Sequence, residues 1–214
     1  AWGKVPGYEE LREIRQHEAS SLYSEDGELL GKYYLENRTE VLFGSISPKA
    51  VEALVATEDS RFYEHHGVDK ISLLRVLLKT ILLGDKREGG GSTISQQLAK
   101  NLYPRETGKR WMLPVAKVKE MIVAHRLESI YTKDEILTLY LNTVWFGEGA
   151  YGIESAAQQY FSTTATQLSA TEAATLIGLL KGPSLYNPRL HPERALERRN
   201  TVLGRMVEHG YLSE

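Results

Sequence analysis

Ser47-Pro48-Lys49-Ala50-Val51-Glu52-Ala53-Leu54-Val55-Ala56-Thr57-Glu58-Asp59-Ser60-Arg61-Phe62-Tyr63-Glu64 reads as one amphipathic helix. Ser47 is a capping residue, and Pro48 takes the first helical position, where a missing N–H costs nothing. At about 100° per residue, Val51, Leu54, Val55 and Phe62 share one face. The stretch therefore predicts a helix running to about Glu64, ending near Gly67 and burying that stripe. Glu58 falls in the middle of the stripe, and Asp59 one step round, toward its edge. A carboxylate on an apolar face loses hydration, which suits it to general-base work near neutral pH. The same position also suits a buried Glu paired with an arginine or a backbone amide, and periodicity does not separate the two.

Moving outward from this helix, the chain toward the C-terminus stays helical. A second helix is expected from Asp69 to Leu83, stopped by Gly84. After Gly89-Gly90-Gly91, Ser92 or Thr93 caps a third helix toward Tyr103, with Gln96 placed to close a capping box on Thr93. Pro114 opens a long helix to about Tyr131, and Thr132 with Glu135 boxes the start of another over 136–146. Further helices are expected at about 152–161, 169–180 and 192–209, the last ended by Gly210. Toward the N-terminus, residues 21 to 46 hold the strand signals. Asp26-Gly27 sits between Ser21-Leu22-Tyr23 and Leu29-Leu30-Gly31-Lys32-Tyr33-Tyr34, a short hairpin. The expectation is a mainly α chain with a short N-terminal β-hairpin.

Composition limits what such a chain does. Its 214 residues suit one domain, and 42% hydrophobic with 25% charged content is ordinary for a globular protein. A net charge of -2 argues against a nucleic-acid partner. With no cysteine there are no disulfides, thiolate metal sites or cysteine nucleophile, and the six histidines form no HExxH zinc pattern. No apolar span of about 20 residues and no signal peptide is present. The abrupt opening at Ala1-Trp2-Gly3-Lys4 leads to the expectation of an N-terminal anchor upstream.

Three further segments carry chemistry. The glycine-rich loop before Ser92 and Thr93 leads into a helix start, where backbone amides suit phosphate-like anions. Lys100, about one turn beyond Gln96 and Gln97, adds a charge there; the G-x-x-x-x-G-K-[ST] spacing of a nucleotide loop is missing. Taken alone, the glycines read first as a mobile connector with a good cap. In the long helix, Glu120 shares a face with Ala116, Val123 and Leu127, a second acid among apolar positions. Lys117 and Lys119 flank it, and Arg105, Lys109 and Arg110 lie upstream; the plain alternative is a solvated basic surface. Two inward carboxylates beside a cationic cluster suit transfer of a group away from an anionic leaving group. From Ile71 to Leu83 nine of thirteen residues are apolar, with Ser72, Arg75 and Lys79 on a narrow polar stripe. That helix would span about 20 Å, too short to cross a hydrocarbon layer of about 30 Å. It fills a core or lies in a membrane interface, with Trp111-Met112-Leu113 as a second apolar anchor.

These residues resemble the glycosyltransferase family 51 domain of class A penicillin-binding proteins and monofunctional peptidoglycan transglycosylases. Glu58-Asp59-Ser60-Arg61-Phe62-Tyr63-Glu64-His65-His66-Gly67 matches the family's E-D-x-x-F-x-x-H-x-G pattern. The run from Gly90 through Ser92, Thr93, Gln96, Gln97 and Lys100 to Asn101 matches G-x-S-T-I-x-Q-Q-L-x-K-N. Lys133 to Asn142 matches K-x-x-I-L-x-x-Y-L-N. One pattern departs: R-K-x-x-E is here Ala116-Lys117-Val118-Lys119-Glu120, so the leading cation is missing, and Arg110 is the first candidate to replace it.

The resemblance implies a lysozyme-like helical large lobe, with a small membrane-associated jaw lobe at about residues 68–115 inserted in a single glycosyltransferase domain spanning 1–214. Leu74, Leu77, Leu78, Leu82 and Trp111 would then face the membrane interface. It implies polymerisation of lipid II into β-1,4-linked glycan with inversion, and inhibition by moenomycin. Glu58 would be the base that takes the proton of the acceptor 4-hydroxyl. Glu120 would orient the cations or hold a metal. Asp59, Ser92, Thr93, Gln96, Gln97, Lys100, Asn101, Arg110, Lys117 and Lys119 would bind substrate. Family members respond to Mg2+ or Mn2+, although no dedicated metal cage is readable here. The implied setting is the outer face of a bacterial cytoplasmic membrane, with lipid II and the growing lipid-linked strand as partners and a transpeptidase domain covalently linked in a longer parent. The rival expectations are a lysozyme-like hydrolase or lytic transglycosylase that cuts glycan, and a non-catalytic module that binds the lipid precursor.

Overall fold

A computed structural model describes residues 5–16, 20–23, 29–33, 39–75, 91–105 and 113–213. The described chain is mainly helical. A short helix α1 (Tyr8–Arg12) precedes an antiparallel pair, β1 (Ser20–Tyr23) and β2 (Leu29–Tyr33), in which Ser20 faces Tyr33 and a bulge falls between Leu22 and Tyr23. Helices then follow in order: α2 (Pro48–Glu58), α3 (Ile94–Leu102), α4 (Leu113–Ile130), α5 (Lys133–Thr143), α6 (Ile153–Phe161), α7 (Ala170–Leu179) and α8 (Pro192–Glu208). Residues 70–75 are also helical.

The local rules account for most helix starts. Thr132 with Glu135, and Ser169 with Glu172, form complete capping boxes at α5 and α7. Thr93 caps α3 by accepting the Gln96 N–H. Gln96 does not complete the box; its side-chain amide is buried with no hydrogen-bond partner among the described residues. Ser47 precedes α2 as expected, but its hydroxyl makes no cap and donates instead to Leu168 O at 2.7 Å. Asp69, nearly buried, caps the 70–75 segment by accepting from the Ile71 and Ser72 amides.

The first helix corrects the sequence expectation. It ends at Glu58, not near Glu64, because Asp59 leaves helical geometry at φ -159, ψ 72. There its carboxylate accepts from the Ile94 amide and the His65 ring, both at 3.0 Å. Charge-assisted bonds of about 1.5–3 kcal/mol each outweigh a helix preference below about 1 kcal/mol per residue. Phe62 is still fully buried, but from a 3-10 turn at Phe62–Glu64. Gly67 then turns at φ +80 so close to α4 that a Cβ would lie 2.7 Å from the Ala124 carbonyl carbon.

Two packed groups result. α2 lies against α7 and α8, which pack on each other, while α3 packs on α4 and α5. One hydrophobic core joins them, including Leu54, Phe62, Leu98, Leu127, Tyr140 and Ile177. The end of α2 and the first turns of α3 meet where the groups adjoin. Leu77, Leu78, Leu82, Arg110, Trp111 and the 24–28 turn fall outside the described residues, and so do residues 76–90 and 106–112 of the expected jaw lobe.

Candidate active site

Glu58, the last residue of α2, keeps 19% of its side chain exposed. Its Oε2 accepts from Gln97 Nε2 at 2.8 Å. Gln97 Oε1 in turn accepts from the Tyr140 hydroxyl at 2.9 Å. Tyr140 is buried on α5; burial first, and then the negative charge of Glu58, push its hydroxyl well above the usual phenol range. It therefore stays a donor. On the other side, an Arg198 Nη2 atom from α8 stands 3.8 Å from Glu58 Oε1, close enough for an ion pair but too far for a hydrogen bond. Arg198 Nε is buried with no hydrogen-bond partner among the described residues. α8 approaches α7 at Gly178, where a Cβ would press to 3.2 Å from the Arg198 stem.

Asp59 points away from Glu58 into a buried polar network. His65 Nε2 lies 3.0 Å from both its oxygens, and His65 Nδ1 faces Glu128 at 4.0 Å. Glu128 accepts from Ser95 and from Lys133 Nζ, the latter at 2.7 Å, and Lys133 also donates to His65 O. Thr93 Oγ1 donates to Gly67 O at 2.6 Å. The positive end of α3, which the sequence offered to a phosphate, thus already holds a protein carboxylate at its first amide. Asp59, Thr93 and the buried Gln96 all lie within this framework.

The second corner is built on Glu120, only 7% exposed on α4. Arg105 Nε donates to Glu120 Oε1 at 2.7 Å, and Lys117 Nζ approaches Oε2 at 3.3 Å and donates to Ser92 Oγ at 2.6 Å. Burial holds the Lys117 ammonium below the usual lysine range; Glu120 opposes that shift, and Arg105 and Lys100 add to it. The hydrogen bond to Glu120 holds Arg105 above its usual value. Arg105, absent from the motif matches, thus places a cation on Glu120. Its position fifteen residues before Glu120 gives no helical spacing by which sequence could pair them. Arg198 is harder still to foresee, since 140 positions separate it from Glu58.

Lys100 is exposed at the end of α3, and Asn101 and Lys119 are half-buried. Gln97 on α3 meets the Glu58 corner and Ser92, just before α3, meets the Glu120 corner through Lys117. A polar hollow lined by Thr39, Glu154, Ser155, Gln158 and Gln159 shares no residue with either corner. Among the described residues no cluster of acids and histidines could hold a metal. Both Glu120 oxygens face cations, so these residues do not fit Mg2+ or Mn2+. Among the same residues no helix is long and apolar enough to cross a membrane.

The transglycosylase family model matches residues 26–207. The chain is 43% identical over 213 residues to penicillin-binding protein 1A of Escherichia coli, covering 99% of this chain and 24% of that protein. It is 44% identical to penicillin-binding protein 1F of Bacillus subtilis, covering 92% and 27%, and 43% identical to penicillin-binding protein 1A of Aquifex aeolicus, covering 92% and 26%. A crystal structure of penicillin-binding protein 1A from Haemophilus influenzae aligns with 92% of the chain and 19% of its own, at 25% identity and a TM-score of 0.49. The chain spans about a quarter of the length of these curated relatives.

Proposed function

We propose, from the premise that this chain belongs to the transglycosylase family, that it polymerises lipid II into β-1,4-linked glycan strands with inversion. The observation that carries the reading is the unequal treatment of two carboxylates on either side of α3. Among the described residues Glu58 has one amide donor and a distant guanidinium, whereas both oxygens of Glu120 are taken by cations.

In this reading the 4-hydroxyl of the acceptor N-acetylglucosamine gives its proton to Glu58 as its oxygen attacks the donor anomeric carbon. The bond from that carbon to the pyrophosphate breaks, and the departing polyprenyl pyrophosphate carries the electron pair. Pyrophosphate is a weak base, so its departure calls for charge neutralisation more than a proton. Lys117 and Arg105, held in place by Glu120, provide this, with Lys100 and Lys119 adding positive potential. Ser92, Gln97 and Asn101 line the path between the corners. Arg110 belongs to the same basic stretch. Asp59, Thr93 and Gln96 act by fixing the start of α3.

The exposed Ile71, Leu73 and Leu74 give the 70–75 segment an apolar outer surface. That supports a jaw lobe seated at a membrane, with Leu77, Leu78, Leu82 and Trp111 extending the contact. The names and lengths of the relatives support a longer membrane-bound parent with a linked transpeptidase domain.

The test is to incubate the protein with lipid II and, separately, with polymeric peptidoglycan, each with and without moenomycin. Glycan growth from lipid II that moenomycin blocks is the expected result. Fragments released from the polymer without growth would replace this reading with the hydrolase. Binding of lipid II without turnover would replace it with the non-catalytic module.

A further inference from the structure

Glu58 is held by a side chain whose two ends differ chemically but not in shape. A glutamine amide can present either its NH2 or its oxygen to a neighbour, and only the NH2 supports an ionised carboxylate. Gln97 is half-buried, so packing alone does not choose between them. The choice is made one step further on, where the buried Tyr140 hydroxyl donates to Gln97 Oε1 at 2.9 Å. That bond leaves Nε2 facing Glu58 at 2.8 Å.

We propose that Tyr140 is a positioning residue for the transfer reaction: through Gln97 it fixes Glu58 as a hydrogen-bond acceptor, ready to receive the acceptor proton. The relay crosses three helices, from α5 through α3 to the end of α2, and so ties the base to the α3–α4–α5 group that carries the cations. The other charged groups at Glu58 are Arg198 on α8, which also favours the carboxylate, and Asp59, next in the chain and engaged with His65 and the Ile94 amide. Without the Tyr140 hydroxyl the amide is free to turn. Its oxygen would then face Glu58, an arrangement tolerated only when Glu58 carries a proton and cannot act as a base.

The inference rests on the glycosyltransferase reading, and lipid II turnover by the unaltered protein is therefore measured first. Tyr140→Phe removes one oxygen and no ring volume. The expected result is a kcat lower by about tenfold with KM within about twofold, and an acid limb of the rate profile moved up by about one pH unit, the size of one charge-assisted hydrogen bond. Gln97→Leu moves the limb in the same direction, and adding Tyr140→Phe to it causes no further loss. Limb position does not depend on the amount of active protein, so it decides even where Tyr140→Phe lowers the yield of folded enzyme. Losses that multiply in the double variant, or an unmoved limb in either single one, would overturn the relay while leaving the transferase reading standing. No turnover of lipid II by the unaltered protein would remove both.

Discussion

The two acids that flank α3 are nearly alike in sequence setting and opposite in structure. Glu58 and Glu120 each sit on an apolar helix face, yet their surroundings differ in charge. Glu120 is matched by two cations at 2.7 and 3.3 Å. Glu58 receives a neutral amide at 2.8 Å and an arginine at 3.8 Å. A carboxylate saturated by cations serves as an anchor, because removing its charge strands two positive groups. A carboxylate held by one amide donor, with part of its surface open, can still receive a proton. Glu120 is buried and Glu58 only partly so, and partner identity separates them further.

The largest expected effect tests that division directly. Glu58→Gln should lower lipid II polymerisation by about 10³-fold, within the range for losing a general base, with an unchanged melting temperature and retained lipid II binding. Glu120→Gln should instead lower both activity and melting temperature, since it leaves Arg105 and Lys117 facing a neutral group. Identical profiles for the two variants would erase the distinction.

Arg105→Ala comes next. Losing one preorganised cation at the leaving group should raise the barrier by about 3 kcal/mol, on the order of 10²-fold in kcat. A change below about threefold would move Arg105 out of the site and return the basic stretch around Arg110 to first place.

The smallest effect is one of pH. Burial holds the Lys117 ammonium below its ordinary range, so it loses its proton at lower pH than an exposed lysine. Activity should therefore fall early on the alkaline side. Between the folded value and the ordinary one the unfolded chain binds more protons, so the contribution of Lys117 to stability rises with pH in that same window. Activity and melting temperature should accordingly move in opposite directions there. Lys117→Arg, which stays charged, should shift the alkaline limb upward; an unmoved limb would show that another group sets it.

Much of this layout was legible in the sequence. α7 matches its expected span to within a residue, whereas α5 begins at Lys133, directly after its Thr132 cap, and ends at Thr143, three residues off the expected 136–146 at each end. The inward turn of Glu120 followed from its spacing to Val123 and Leu127. The first helix was read too long, because Asp59 found partners in His65 and the Ile94 amide, the latter 35 positions away. Gln96, expected to close a capping box, is instead buried with no hydrogen-bond partner among the described residues, a packing outcome with no local signature.

Helix starts, apolar faces and the two inward acids are set by neighbours within a turn or two, and there sequence alone was sufficient. Which acid meets cations and which meets an amide depended on α3 lying between α2, α4 and α5, and on α8 passing close enough at Gly178 for Arg198 to reach Glu58. Those partners come from up to 140 positions away, and only the folded packing brings them within the few ångströms over which charge and hydrogen bonds act.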